Sequence, residues 1–473
     1  MTFSPRCRSP FESQRWSRRR MLQSVIALST TLALSACGGS PPIGGNPRPS
    51  TTPATPSGLF GIFPPRATPV PTATPQPITL RFAHWESGAA AQTLAAIAQK
   101  FHQLTSGVVV QLSVASFRAH FDALLATTAG GTPPDVFINS GAYFYDLANQ
   151  KVMRDLTGLL RQSSWSAKNY WTEPTTRAFN GHQYTLPIWN ADEVVFFNRD
   201  WFAQKKVTEP SENWSWDQFL ATAHALTDGK PGQVTRWGVL VTNDVQGGWG
   251  SFVASNGGSW LDVAQRRMTL QSPTATAALQ WLIDLAIVHH VAPRPSEQQR
   301  LTQGGEVDPF VAGLVAMLPT GTWEMTNALQ GAHFAWDIVK LPRAPQANTA
   351  TTVSNVQPVS ASAASQHPDQ AWQFLEFLIS PDAQTMLAHN KIKLPALKAI
   401  AESSTSGYAT TPPQSASIVA QSMDHAVDLA FLPHWQSWRA AVIQALEPAF
   451  EGSATLSDAM AEAVRVGNAA LTT

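Results

Sequence analysis

Strand-like and helix-like apolar patterns alternate along the chain after its first 77 residues, and this alternation restricts the possible folds most strongly. Apolar residues occupy every second position over 78–84 and again over 108–114, as in strands with one buried face. They recur at helical spacing over 94–104 and over 117–125, and a third strand pattern covers 135–138. Strands separated by helices predict parallel β-α-β units. The expected fold class is therefore α/β.

The first 36 residues have the order of an export signal. Several arginines precede an apolar run without charged residues, from Met21 to Ala36, which is too short for a comfortable transmembrane helix. The run ends in Leu34-Ser35-Ala36-Cys37, which resembles the lipobox of bacterial lipoproteins, where the cysteine thiol receives diacylglycerol. We predict a signal peptide over 1–36 and lipidation of Cys37, rather than a buried helix that contains a cysteine by chance.

These features predict an exported protein that is anchored by lipid to the cell membrane and faces the periplasm or the cell exterior. The segment Ser17-Arg18-Arg19-Arg20-Met21-Leu22 also resembles a twin-arginine signal, with Met21 where such signals usually have phenylalanine. Export after folding by that route and export by the general secretory route are both compatible with the sequence.

A tether is predicted between the lipid anchor and the folded part. Residues 37–77 begin with the anchoring cysteine and are rich in proline, threonine and glycine. Such a segment buries too little apolar surface to offset the entropy lost on ordering, and proline favours extended chain. We expect a semi-rigid tether that lifts the folded part away from the bilayer.

Removal of the signal peptide changes the charge balance of the chain. Residues 1–36 contain 6 of the 32 basic residues and 1 of the 32 acidic residues, which leaves 26 basic against 31 acidic and a net charge of about −5. Binding to nucleic acid needs clustered lysine and arginine, so we expect no nucleic-acid partner. Of the two cysteines, Cys7 is removed and Cys37 is lipidated, so no thiol is left for a disulfide, a zinc cluster or catalysis.

The folded region contains a series of short motifs. Each motif is weak alone, but their common order runs through nearly the whole folded region. In chain order they are His84-Trp85-Glu86-Ser87-Gly88, Gly130–Val136, Tyr184–Trp189 running into Val194–Phe202, Trp214–Phe219, Gly321-Thr322-Trp323 and His367–Leu375. This ordered series resembles the extracellular solute-binding proteins of carbohydrate importers, the maltose-binding-like family. Phe197 and Arg199 stand where that family more often has tyrosine and lysine.

The resemblance implies a fold of the type II periplasmic-binding-protein kind, with two α/β lobes, hinge crossings and a ligand cleft between them. About four hundred residues also exceed what one core usually holds. The expected lobes cover 78–189 plus 353–395 and 190–352 plus 396–473. We expect the chain to cross between them at three places, near 189–194, 341–352 and 394–400.

The same resemblance implies a binding protein rather than an enzyme. A ligand that contacts both lobes only in the closed state favours closure. The expected ligand is a sugar, more specifically an oligosaccharide, which the protein delivers to the permease subunits of an ABC transporter. We expect a monomer without a metal or any other cofactor.

Three tryptophans are predicted to stack on the sugar rings. Trp323 follows Gly321-Thr322 at the family position where an aromatic residue stacks on sugar, Trp435 lies in a matching C-terminal segment, and Trp249 lies in a glycine-rich turn. For each of them a core position is the alternative. Several aromatic platforms in one cleft would favour an oligosaccharide over a monosaccharide. Core positions are expected for Trp260, Trp281 and Trp372.

Polar partners for the sugar hydroxyls are expected at strand ends and at the crossings. The candidates are Trp85, Glu86, Asn139 and Ser140 at strand ends, Trp189, Asn190 and Asp192 at the first crossing, and Asn355 and Gln357 where family members often have a glycine-rich turn with tryptophan. A solvated loop acid is the alternative for Glu86. A purely structural hinge role is the alternative for the first-crossing residues.

Other functions stay open at this point. A cell-surface glycosidase would also use aromatics and paired carboxylates, but the sequence contains no HExxH, GxSxG or Walker motif. The same fold with a polyamine as ligand is compatible with acids and aromatics. Iron, phosphate or peptide ligands fit less well, and a sensor or adhesin built on this fold is a further alternative.

Overall fold

The computed structural model describes residues 77–171, 178–301, 308–389, 393–404, 413–415 and 417–472. The predicted signal peptide, Cys37 and all but the last residue of the predicted tether lie outside the described residues. Within the described ranges, no helix combines the length and the apolar character needed to cross a membrane.

The described chain mixes strands and helices throughout. The strands are β1 Ile78–His84, β2 Val108–Val114, β3 Val136–Ile138, β4 Ala178–Phe179, β5 His182–Gln183, β6 Leu186–Asn198, β7 Trp237–Val239, β8 Leu261–Asp262, β9 Arg267–Met268, β10 Val315–Gly321, β11 Trp336–Val339, β12 Thr352–Ala361, β13 Leu394–Pro395 and β14 Ala426–Asp428. The helices are α1 Gly88–Leu104, α2 Phe117–Ala129, α3 Gly141–Asn149, α4 Thr157–Gln162, α5 Arg199–Lys205, α6 Trp216–Leu226, α7 Trp249–Ser255, α8 Pro273–Ile287, α9 Pro295–Leu301, α10 Asp308–Val311, α11 Met325–Gly331, α12 Pro368–Leu378, α13 Pro381–His389, α14 Lys398–Ser404, α15 Ser417–Ser422, α16 Trp435–Glu451 and α17 Leu456–Thr472.

The predicted alternation of strands and helices at the start of the folded region is confirmed. Strand β1 pairs in parallel with both β2 and β3, and helices α1 and α2 connect the three strands. Further along the chain, Ser215 forms a capping box with Gln218 at the start of α6. Proline occupies the first position of α13, where its missing N–H costs no helical hydrogen bond.

Strand β6 belongs to two groups of strands. Its first half, Leu186 to Asp192, pairs with β12, which continues through β3 to β1 and β2. Its second half, Glu193 to Phe197, pairs with β10, and β10 pairs with β7. The change of partner falls between Asp192 and Glu193, so a single strand connects the two groups.

Hydrophobic clusters form on both sides of this change of partner. One cluster combines residues of β1, α1 and the first half of β6 with residues of β12, α12 and α13. Another combines α6, α7 and α8 with α16 and α17. Trp260, Trp281 and Trp372 lie in or against these clusters, as predicted. The exact lobe boundaries stay a prediction.

Candidate functional site

A cavity of about 400 Å³ opens where the two groups of strands meet. Its lining draws on the ends of β1 and β3, on β12, on the turn that follows β10, and on α16. The lining residues include Trp85, Glu86, Ser140, Gln246, Trp323, Glu324, Asn327, Asn355, Gln357, Lys393, Gln436 and Arg439. Six of the predicted site residues are among them: Trp85, Glu86, Ser140, Trp323, Asn355 and Gln357.

Trp323 provides a partly exposed aromatic surface in the cavity. It lies on the 3₁₀ turn Thr322–Glu324, directly after β10. A Cβ atom added to Gly321 would lie 2.0 Å from Cζ3 of the Trp323 indole. The ring therefore lies across Gly321, and only glycine permits this close approach. This contact gives a physical reason for the Gly321-Thr322-Trp323 motif.

A buried ion pair lies at the wall of the cavity. Nζ of Lys393 is 3.4 Å from Oε2 of Glu86, and both side chains are more than nine-tenths buried. Nζ of Lys393 also lies 5.8 Å from the ring centroid of Trp189, in the range of a cation–π contact. Lys393 directly precedes β13, so the pair joins the end of β1 to a distant part of the sequence.

Three buried carboxylate and amide oxygens of the lining residues have no hydrogen-bond partner among the described residues. They are Oε1 of Glu86, Oδ1 of Asn355 and Oε1 of Gln357, and none of them receives a hydrogen bond from a described residue. Asn355 and Gln357 lie two positions apart on β12 and therefore share one face of the strand. A buried acceptor without a donor costs about 1–3 kcal/mol, so these atoms are prepared to accept hydrogen bonds from a bound molecule.

Two further charged residues of the lining, Arg439 and Glu324, form hydrogen bonds with neighbouring side chains. Nε of Arg439 donates to Oδ1 of Asp244 at 2.7 Å, and a second guanidinium nitrogen donates to Oδ2 of the same carboxylate. Nδ2 of Asn327 donates to Oε2 of Glu324 at 2.8 Å. Bidentate pairing with a carboxylate fixes the plane of the Arg439 guanidinium at the cavity wall.

The structure does not bring Trp249 and Trp435 to the cavity. Both indoles are completely buried in a hydrophobic cluster, where Trp435 stacks on Trp438 and Trp249 contacts the edge of Trp260. Trp435 and Trp438 are three positions apart on α16 and share its buried face. The sequence prediction overlooked this helical phase, and the three tryptophans therefore do not form one set of platforms.

Four polar or aromatic candidates are buried beside the cavity rather than in its lining. Trp189, Asn190 and Asp192 are buried on β6. Burial raises the pKa of the Asp192 carboxyl well above its ordinary value, and the neighbouring Glu193 charge acts in the same direction. Asn139 donates to Oγ of Ser360, and its Oδ1 accepts from the backbone of Ser140. Both ends of the Asn139 amide therefore have partners within the protein, which is a structural role.

Several lining residues escaped the sequence prediction. Gln436 and Arg439 are three positions apart on α16 and lie on the helix face next to the buried tryptophans, each directly after one of them. The helical spacing of Trp435 and Trp438 could have indicated them. No local pattern indicates Lys393, because its partner Glu86 is separated from it by about three hundred residues of sequence.

Comparison with known proteins identifies the family. The family model for bacterial extracellular solute-binding proteins matches residues 85–385, which is more than half of the chain. The chain belongs to this family. Members of the family are binding proteins rather than enzymes.

Individual relatives agree with this assignment. An uncharacterized lipoprotein of Streptomyces antibioticus is 26% identical over 333 residues, which cover 67% of this chain and 70% of that protein. Among solved structures, an ABC substrate-binding protein from Listeria monocytogenes in complex with cycloalternan has a TM-score of 0.73 and 23% identity, covering 84% of this chain and 99% of that one. A cyclic α-maltosyl-1,6-maltose binding protein from Arthrobacter globiformis has a TM-score of 0.70 and 18% identity, covering 84% and 99%.

These structural matches confirm the predicted fold class. The solute-binding protein combines parallel and antiparallel strands with helices in the two-lobe arrangement of periplasmic-binding-protein-like structures. The cavity lies where the strand group of β1, β3 and β12 meets the group of β10 and β7.

Replacing Lys393 with methionine should destabilise the protein. The variant Lys393→Met leaves the Glu86 charge buried without its partner, which costs about 3–5 kcal/mol of the free energy of unfolding. Urea unfolding followed by circular dichroism measures this loss. The double variant Glu86→Gln/Lys393→Met removes both charges and should recover most of the stability. A loss below about 1 kcal/mol in the single variant would contradict a buried pair.

Proposed function

We propose that this solute-binding protein captures an uncharged oligosaccharide in the cavity described above. The observation that carries the proposal is the combination of the Trp323 ring with three buried acceptor oxygens that have no donor among the described residues. Sugar rings present C–H faces that pack on aromatic surfaces, and their hydroxyls donate hydrogen bonds to such acceptors. The cavity volume of about 400 Å³ lies in the range of small-molecule sites.

The charges at the cavity support a neutral ligand over a polyamine. Glu86 is paired with Lys393, and Arg439 is paired with Asp244. A polyamine would bring cationic groups to a wall where these carboxylates already have cationic partners. The solved relatives that bind cycloalternan and cyclic α-maltosyl-1,6-maltose support an oligosaccharide.

We further propose that the captured sugar is delivered to an ABC transporter permease after lobe closure. The proposed lobes are 78–189 plus 353–395 and 190–352 plus 396–473, with crossings near 189–194, 341–352 and 394–400. Export by the signal peptide 1–36 and lipidation at Cys37 would hold a monomer at the membrane. The match to a bacterial lipoprotein and to an extracellular family supports this part of the proposal.

A thermal-shift screen of the full-length chain tests the ligand class. Cycloalternan, maltotriose, glucose and spermidine form the panel, each raised stepwise in concentration. A ligand at one hundred times its dissociation constant adds about 2.7 kcal/mol to the free energy of unfolding. We expect a shift with at least one oligosaccharide and none with spermidine. A shift with spermidine alone would refute the proposal, and release of reducing sugar from cycloalternan or maltotriose would indicate an enzyme.

Removing the Trp323 ring should weaken sugar binding without unfolding the protein. We expect Trp323→Ala to raise the dissociation constant about 30-fold, or about 2 kcal/mol, because a stacking surface at the centre of the site is lost. Isothermal titration calorimetry measures the change. Trp372→Ala is the matched control, since Trp372 packs against a hydrophobic cluster but does not line the cavity, and its loss should affect stability but not affinity. Equal affinities of the Trp323→Ala variant and the wild type would contradict the stacking role.

Replacing Cys37 should release the protein from the membrane. In Cys37→Ser the thiol that accepts diacylglycerol is missing, so labelled fatty acid should no longer be incorporated. Fractionation of a bacterial expression host, with Cys7→Ser as the control, measures the distribution. Unchanged membrane association and labelling of the Cys37→Ser variant would show that the anchor lies elsewhere.

A further inference from the structure

The Glu193 side chain occupies an unusual position for a carboxylate. Glu193 is the first residue of β6 that pairs with β10, and its side chain is buried. It lies directly after Asp192, where the strand changes partner from β12 to β10. The function proposed above assigns no role to this carboxylate.

The two carboxylate oxygens of Glu193 hold two different segments. Oε1 accepts a hydrogen bond of 2.7 Å from the backbone N–H of Gly247, and Oε2 accepts one of 2.6 Å from the Ser251 hydroxyl. Ser251 lies on α7, and its Oγ also accepts from the backbone N–H of Val353 on β12 at 2.8 Å. The carboxylate thus connects β6, α7 and β12.

The backbone of Glu193 strengthens the same junction. Its N–H donates to Oγ1 of Thr352 at 2.8 Å, and its carbonyl oxygen accepts from the same hydroxyl at 2.9 Å. Strands β6 and β12 are therefore also held together at Glu193. A buried polar network of this kind is sensitive to the loss of any one of its members.

The segment held by Oε1 reaches the cavity wall. We define residues 243–248 as the rim loop. Gln246 of this loop lines the cavity, and Asp244 holds the Arg439 guanidinium there. The backbone of Gly247 has a φ of 77°, which favours glycine, so the N–H that meets Glu193 is presented by a fixed turn. The position of the rim loop therefore depends on the Glu193 carboxylate.

We infer that Glu193 is a positioning residue that holds the rim loop against β6 and β12, and that loss of its negative charge weakens ligand capture. A hydrogen bond to an ionised acceptor is roughly twice as strong as one between neutral groups. Protonation therefore weakens the contact with Gly247. It also turns one oxygen into a donor, so that the Ser251 hydroxyl has to direct its own hydrogen elsewhere. This inference rests on the proposed function.

The electrostatic surroundings of Glu193 place its change of protonation near neutral pH. Burial raises the pKa of Glu193 from its ordinary value of 4.5 to about 7, against the lowering effect of its bonds from Ser251 and Gly247, and the Asp244 charge raises it further. The charged or titratable neighbours are Asp244 on the rim loop, which pairs with Arg439 of α16, and Asp192 on β6. Burial raises the pKa of the Asp192 carboxyl well above its ordinary value as well, and the Glu193 charge acts in the same direction.

Stability and affinity should respond to pH in opposite directions. The folded protein holds the Glu193 proton more tightly than the unfolded chain, so wild-type stability falls as the pH rises from about 4.5 to about 7. Affinity should instead rise over the upper part of this range, because the ionised carboxylate holds the rim loop. If Glu193 had only a structural role, stability and affinity would not change in opposite directions with pH.

The variant Glu193→Gln tests the inference with the oligosaccharide that gives the largest shift in the panel of cycloalternan and maltotriose. We expect the wild-type dissociation constant to rise about three- to tenfold from pH 8 to pH 6, the size of the net contribution of one typical hydrogen bond. At both pH values the variant should bind with the weaker affinity that the wild type has at pH 6. At pH 8 it should nevertheless unfold at a higher temperature than the wild type.

Glu376→Gln is the matched control. Burial raises the pKa of Glu376 too, but this residue lies on α12 and not at the cavity. Its replacement should leave the wild-type dependence of affinity on pH unchanged. The buried His84 and His120 do not titrate between pH 6 and pH 8, because burial lowers the pKa of each to about 4.

Two further measurements keep the inference separate from the proposed function and from misfolding. Hydrogen exchange at the Gly247 amide needs no ligand, and at pH 8 it should be faster in Glu193→Gln than in the wild type. If no sugar binds to the wild type, the proposed function fails while this exchange still tests the positioning role. The variant Ser251→Ala removes a hydrogen bond that lowers the pKa of Glu193. The fall in affinity should therefore occur at a higher pH than in the wild type. The inference is overturned if Glu193→Gln retains the wild-type pH profile or the wild-type Gly247 exchange.

Discussion

The structure depends on the change of partner within strand β6. Buried backbone groups have to be hydrogen-bonded, and all 13 residues of this strand are buried. The strand satisfies its backbone by pairing with β12 in its first half and with β10 and β11 in its second half. Two groups of strands, each with its own helices and hydrophobic cluster, are thereby connected through one continuous element. The cavity lies at this connection.

Polar side chains concentrate where the two groups of strands meet, and their roles differ with the face of the strand. Asn355 and Gln357 present acceptor oxygens to the cavity, where a bound molecule can satisfy them. Glu193 has its partners within the protein and connects three elements around the cavity. Burying such groups lowers stability unless they are hydrogen-bonded. This cost is consistent with a binding site that is complete only with its ligand.

The sequence predicted the fold better than it predicted the site. The apolar periodicities gave the first three strands, their parallel pairing and the helices between them, because periodicity reflects which face of an element is buried. For the site, Trp323 and Glu86 were predicted from the ends of strands and from the resemblance to the family, and both line the cavity. Trp249 and Trp435 were predicted from the residues around them in the sequence, but both are core residues of helices.

The sequence by itself determined the fold class, the family and the order of the elements, since these depend on local periodicity and on motifs read in chain order. Only the tertiary structure decided which side chains meet. Lys393 pairs with Glu86, and Glu193 holds Gly247 and Ser251, across separations that leave no local pattern. The phase of α16 likewise decided that Gln436 and Arg439 reach the cavity while Trp435 does not. The physical reason is that burial and charge pairing depend on distances in space, which the spacing of residues in sequence does not fix.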